Sequence, residues 1–216
     1  RVVHYLYFYA LWALIHITFK IGLLDTNPLG AAEYLAWAVV QPYGVLWFIY
    51  LLAVVGAVTK ALHGLRLPVW AVFTGAALLQ LAPIETGLYA IDQFAAYFVF
   101  FYAGYVLAPV LFRLAAWAMD HALLALAGLA AWALVNAALV FSPGFAMHPV
   151  HPVMGWAGLP GIHLVLALVG TAALCTIAAL LTRLPAMDWL RWLGSKSLIV
   201  YVAFVLPMGI ARTLLI

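Results

Sequence analysis

His16 lies in a long apolar stretch, on the same helical face as Tyr5, Tyr9, Trp12 and Lys20. An imidazole with aromatic neighbours and a cation one turn further on could line a polar cavity and move a proton. Ionisable side chains inside a membrane span are costly, so each one raises a functional question. The plainer reading of His16 is a histidine hydrogen-bonded to a neighbouring helix. Asp92 and Gln93 open another apolar stretch, and Gln80 lies late in the one before it. A carboxylate at a helix N-terminus gains from the helix dipole, so Asp92 reads first as a cap. Asn136 reads as interhelical glue rather than a site residue.

His148 and His151 form H-x-x-H within the proline-flanked segment HPVHP. A metal would need further ligands, and no acid or cysteine stands nearby, so no metal centre is expected. The single cysteine, Cys175, excludes an internal disulfide and a thiolate cluster and reads as a small buried hydrophobe. A G-x-G-x-x-G loop, a P-loop, a G-x-S-x-G elbow and an H-E-x-x-H helix are all missing, so hydrolytic and nucleotide-cleaving chemistry has no residues to stand on.

These residues sit in a chain of 216 residues that is 69% hydrophobic and 7% charged, with a mean hydropathy of +1.18. A soluble domain carries roughly 25% charged residues, so the solvent here is lipid. The net charge of +3 reflects basic loops rather than a nucleic-acid partner. A span needs about 20 apolar residues and must be helical to satisfy its backbone. Seven stretches qualify, at roughly 4–23, 44–63, 67–84, 90–112, 121–141, 162–182 and 196–215. The expected fold is therefore an all-α, polytopic bundle in a single transmembrane domain.

The charges sort between the gaps. Arg1, Lys60, Arg66, Arg113, Arg183, Arg191 and Lys196 fall on one side; Lys20 and Arg212 are the exceptions, near helix ends from which they could snorkel. Asp25, Glu33, Glu85 and Asp92 fall on the other. By the positive-inside rule the basic side is cytoplasmic, and the first span begins there. Residues 24–43 are too short to span and are expected to lie in the interface or re-enter the membrane. Residues 142–161, rich in proline and glycine, are expected to be irregular and to lie over the outer face. No internal period supports a duplicated transporter.

Four stretches, in order, resemble the acyltransferase-3 family of bacterial inner-membrane acyltransferases. They are RVVHYLYFYALWALI (1–15), LWFIYLLAVV (46–55), FVFFYAGYVLAP (98–109) and WLGSKSLIVYVAFVLP (192–207). The first is similar to the family's arginine-led third span and the second to its LWFL-type helix start. The third is similar to its aromatic-glycine helix, and the last to its glycine, Ser-Leu and tyrosine pattern. Their order and spacing match over nearly the whole chain. The resemblance implies about ten helices and transfer of an acyl group, usually acetyl from acetyl-CoA, to a hydroxyl of a glycan or lipid-linked sugar. Acyl-CoA would be a co-substrate, with no permanently bound cofactor.

The family's hallmark is an arginine and a histidine eleven positions apart in its first span, and none of the six arginines here has a histidine eleven residues later. On the resemblance, two spans and that pair are expected ahead of Arg1; the alternative is a divergent member that has lost them. Phe204 stands where many members have a histidine, three residues after the tyrosine matched by Tyr201. The implied acyl-CoA contacts are Arg1, Lys60, Arg66 and Lys196, whose plainer reading is positive-inside topology. Trp47, Tyr50 and Tyr201 match the motifs and, with His16, are the implied cavity residues; helix packing is their plainer reading. Two rival classes stay open. One is a transporter or flippase-like protein using His16, Lys20 and Asp92; the other is an inactive membrane scaffold.

Overall fold

The computed structural model describes residues 2–24, 28–42, 44–82, 84–143 and 155–204. Among them every regular element is helical and none is a strand, as a backbone immersed in hydrocarbon requires. The helices are α1 (Val2–Leu24), α2 (Pro28–Trp37), α3 (Trp47–Gly64), α4 (Val69–Leu81), α5 (Tyr89–Asp120), α6 (Ala122–Val140), α7 (Pro160–Leu181), α8 (Asp188–Ser195) and α9 (Ser197–Ala203). Short 3-10 turns at Gly44–Leu46, Gly155–Gly158 and Pro185–Met187 lead into α3, α7 and α8. Helices α3, α5, α6 and α7 are long and apolar enough to cross a membrane. The protein is an all-α helical membrane protein.

Four of the expected spans match helices within a few residues, and three differ for local reasons. Helix α4 has 13 residues, bounded by Pro68 before it and a bend at Ala82 after it. At 1.5 Å per residue it is about 20 Å long, short of the roughly 30 Å hydrocarbon core. Helix α5 runs on through Arg113 to Asp120, where a gap between spans was expected. The residues 114–119, LAAWAM, are strong helix formers and nothing stops the helix before His121. There the ring of His121 stacks on Trp117 at 5.2 Å, and His121 Nδ1 lies 3.1 Å from the Trp117 carbonyl. Of the last expected span, α9 forms the described part; residues 205–216 lie outside the described residues.

The chain divides into two compact units. The first comprises residues 1–68, 84–98 and 192–216, and the second 69–83 and 99–191. In the first, α1 packs against α2, the Gly44–Leu46 turn and α3. A Cβ placed on Gly56 would sit 3.4 Å from Val2 Cγ2, and the ring of Tyr9 lies 5.2 Å from that of Tyr50. Helices α1 and α3 are therefore antiparallel, and α3 begins opposite the middle of α1. The buried stripe of α1 is Tyr9, Ala13, His16 and Ile17, at helical spacing.

In the second unit α7 packs against α4 and α6, with Trp132 of α6 lying beside Gly170 of α7. The hydroxyls of Thr171 and Thr176 donate to the carbonyls four residues back, Ala167 and Ala172, so both threonines are satisfied within α7 itself. The Gly155–Gly158 turn rests on the end of α6. Ser142 Oγ donates to the Leu139 carbonyl at 2.7 Å and accepts the Trp156 amide at 2.8 Å. Gly155 has φ +54°, and a Cβ there would overlap the Ser142 hydroxyl and carbonyl.

Candidate functional site

Three of the four quoted stretches, far apart in sequence, meet in one core of the first unit. Tyr9 and Ala13 of α1, Leu46 of the 3-10 turn and Ile49 of α3 are buried together. Tyr5, Phe8 and Trp12 of α1, Tyr50 of α3, and Leu198 and Tyr201 of α9 pack around them. The physical cause is spacing: aromatic residues at three- and four-residue intervals give each helix one bulky face.

The implied cavity residues take distinct places in this core. Tyr50 meets Tyr9 edge to face. Tyr201 meets Phe48 of α3 at 5.7 Å. Trp47 stands beside Phe48 at 5.9 Å and continues the layer to the first turns of α5, where Tyr89 and Tyr97 lie 6.2 and 5.5 Å away. His16 is buried, with Trp12 edge-on at 5.8 Å. Among the described residues it is the one buried histidine, and no lysine, arginine or carboxylate side chain described is buried. Trp47, Tyr50 and Tyr201 are half-buried. The result is a continuous aromatic wall carrying phenol hydroxyls, with one buried imidazole at its α1 end.

Two of those hydroxyls do a specific job. Tyr9 Oη donates to the Ala38 carbonyl at 2.6 Å and Tyr50 Oη to the Val39 carbonyl at 3.3 Å. Both carbonyls belong to the turn that ends α2, where helix termini leave acceptors open. Sequence reading noted Tyr9 only as a neighbour of His16. No local signal pairs it with Ala38.

The cationic side chains among the described residues are all at the surface. Lys60 is exposed near the C-terminal end of α3, where a cation complements the helix dipole. Arg66 is exposed just beyond it, and Lys196 between α8 and α9. Arg1 lies outside the described residues. Arg66 has φ +54°. Its amide bonds the His63 carbonyl at 3.0 Å and the Leu67 amide bonds Leu62 at 3.3 Å. That is the Schellman pairing, with arginine in the left-handed position where glycine is usual. The chain's glycine, Gly64, falls two residues early.

Asp92 is engaged at the entrance to α5. Its Oδ1 accepts both the amide and the hydroxyl of Thr86 at 2.8 Å, tying down the 84–88 segment. The capping role read from the sequence takes this form, a carboxylate reaching back to the preceding loop. Gln80 and Asn136 lie half-buried in α4 and α6, within the second unit. The H-x-x-H pair, His148 and His151, lies outside the described residues, as does Arg212; of Lys20 only the helical backbone is described.

The fold and this core define a class: a multi-pass helical membrane protein with an aromatic-walled unit built from α1, α3, α9 and the start of α5. No family model, curated protein or solved structure matches the chain.

Proposed function

We propose that the protein is a membrane-embedded O-acyltransferase of the bacterial inner membrane. It moves an acyl group, acetyl in the first instance, from a cytosolic acyl-CoA to a hydroxyl of a glycan or similar acceptor. The observation that carries this reading is the convergence of residues 1–15, 46–55 and 192–204, the stretches that resemble acyltransferase-3 members, on one core.

In this reaction a histidine general base takes the proton of the acceptor hydroxyl as its oxygen attacks the thioester carbonyl, and the CoA thiolate leaves. The residues described here supply the surroundings. Lys60, Arg66 and Lys196 are the exposed cations for the CoA phosphates on the cytoplasmic side, where the N-terminal end of α1 also lies. Trp47, Tyr50 and Tyr201 form the aromatic wall against which the acyl group or acceptor rests, and His16 is the buried imidazole beside Trp12 at its α1 end.

The test is binding of radiolabelled acetyl-CoA to membranes that contain the protein. Saturable binding, displaced by free CoA and weakened about tenfold or more in the K60E/R66E/K196E variant, is expected. Binding no greater than in membranes lacking the protein would overturn the reading.

A further inference from the structure

We infer that α2 is a re-entrant helix, with its C-terminal turn embedded in the hydrocarbon and latched there by Tyr9 and Tyr50. The inference goes beyond the acyltransferase reading and does not depend on it.

The geometry begins with α3. Together with the Gly44–Leu46 turn it covers 44–64, about 33 Å of helix, which matches the roughly 30 Å core. Its two ends therefore lie near the two interfaces. Tyr50 sits one turn inside α3, and its hydroxyl holds the Val39 carbonyl; Tyr9, level with Tyr50, holds Ala38. The chain at 38–39 is thus held beside the first turn of α3, deeper than the point where residue 44 starts the way into α3. Helix α2 therefore descends toward the turn at 38–40, and α3 starts above that turn.

The burial pattern of α1 agrees. Because α3 starts opposite the middle of α1, it cannot cover the C-terminal half. Yet His16 and Ile17 are buried there. Among the described residues, α2 and the 3-10 turn pack on α1 besides α3, and Leu198 and Tyr201 of α9 join the same core.

The turn is also built for lipid. Its amides are all bonded: Ala38 to the Tyr34 carbonyl, Val39 to Ala36, and both Val40 and Gln41 to Trp37. Its two deepest carbonyls are taken by the phenols. Val39 and Val40 are turned outward, 70% and 53% exposed, and both are apolar; the neighbouring Gln41 is half-buried. Non-helical backbone survives at membrane depth only when its polar groups are satisfied in this way. Glu33, the acid of α2, lies about 8 Å back toward the rim, where its exposed carboxylate reaches water. An interfacial helix lying flat would need neither the phenol latch nor outward valines at its end.

The test is a depth profile. Spin labels are placed singly at E33C, A36C and V40C in a C175A background, with the protein in lipid nanodiscs, and their collision with oxygen and with a water-soluble nickel chelate is measured. Oxygen accessibility should rise and nickel accessibility fall steadily from 33 to 40, and Y9F/Y50F should move the label at 40 toward the surface. Equal depth at 33, 36 and 40, or a label at 40 as open to nickel as the one at 33, would overturn the proposal. The profile in the native background stands by itself if the double variant does not fold.

Discussion

Tyr9 reaches across from α1 to donate its phenol proton to the carbonyl of Ala38, at 2.6 Å and out of contact with water. The bond fixes where α2 ends, and it sits in the same core that gathers the motif-bearing stretches. Replacing Tyr9 by phenylalanine keeps the ring and strands a buried acceptor. Such a loss costs about 1–3 kcal/mol. Thermal unfolding in detergent should therefore show Tyr9→Phe clearly destabilised. Tyr50→Phe, whose bond is 3.3 Å long and more exposed, should cost less than half as much.

Arg66 separates backbone strain from charge. A non-glycine residue in the left-handed region costs roughly 1 kcal/mol. Arg66→Gly should raise the unfolding temperature while weakening acetyl-CoA binding. Arg66→Val, which is β-branched, should lower both. If Arg66→Gly leaves binding unchanged, Arg66 marks topology and does not contact the nucleotide.

Gly155 is a steric requirement on two counts, a φ of +54° and the Ser142 atoms a Cβ would meet. Gly155→Ala should destabilise the protein by more than the roughly 1 kcal/mol of the left-handed conformation alone. Ser142→Ala removes the acceptor of the Trp156 amide and should cost about 1 kcal/mol. Both are read by chemical unfolding of the purified protein.

Orientation follows from charge and is checked separately. Reporter fusions after residues 62 and 117 should score cytoplasmic, and those after 30 and 150 external. The reverse pattern would move the basic ends of α3 and α9 away from cytosolic acyl-CoA and, with them, the proposed donor site.

Much of the architecture was legible in the residues, and the exceptions have physical reasons. Stretches 4–23, 121–141 and 162–182 became α1, α6 and α7 because apolar length is a local property that the bilayer reads directly. Stretch 44–63 became α3 with its 3-10 entry. The end of α5 was missed because charge suggested a gap at Arg113, whereas helix propensity carries on to Asp120. At Arg66 the turn lies outside the reach of residue type, since the left-handed position falls on an arginine two residues past the available glycine.

By itself, the sequence determined that this is a helical membrane protein, because so few charges cannot cover a soluble surface and hydrocarbon leaves the backbone no other fold. It also supplied the aromatic stripes that make each helix adhesive on one face. Only the tertiary structure decided that the stripes of α1, α3 and α9 share a core, and that the turn ending α2 is tied to α1 and α3. That decision rests on Tyr9 with Ala38 and Tyr50 with Val39. Their partners are carbonyls that every residue carries, so no side-chain pattern in the sequence could single them out.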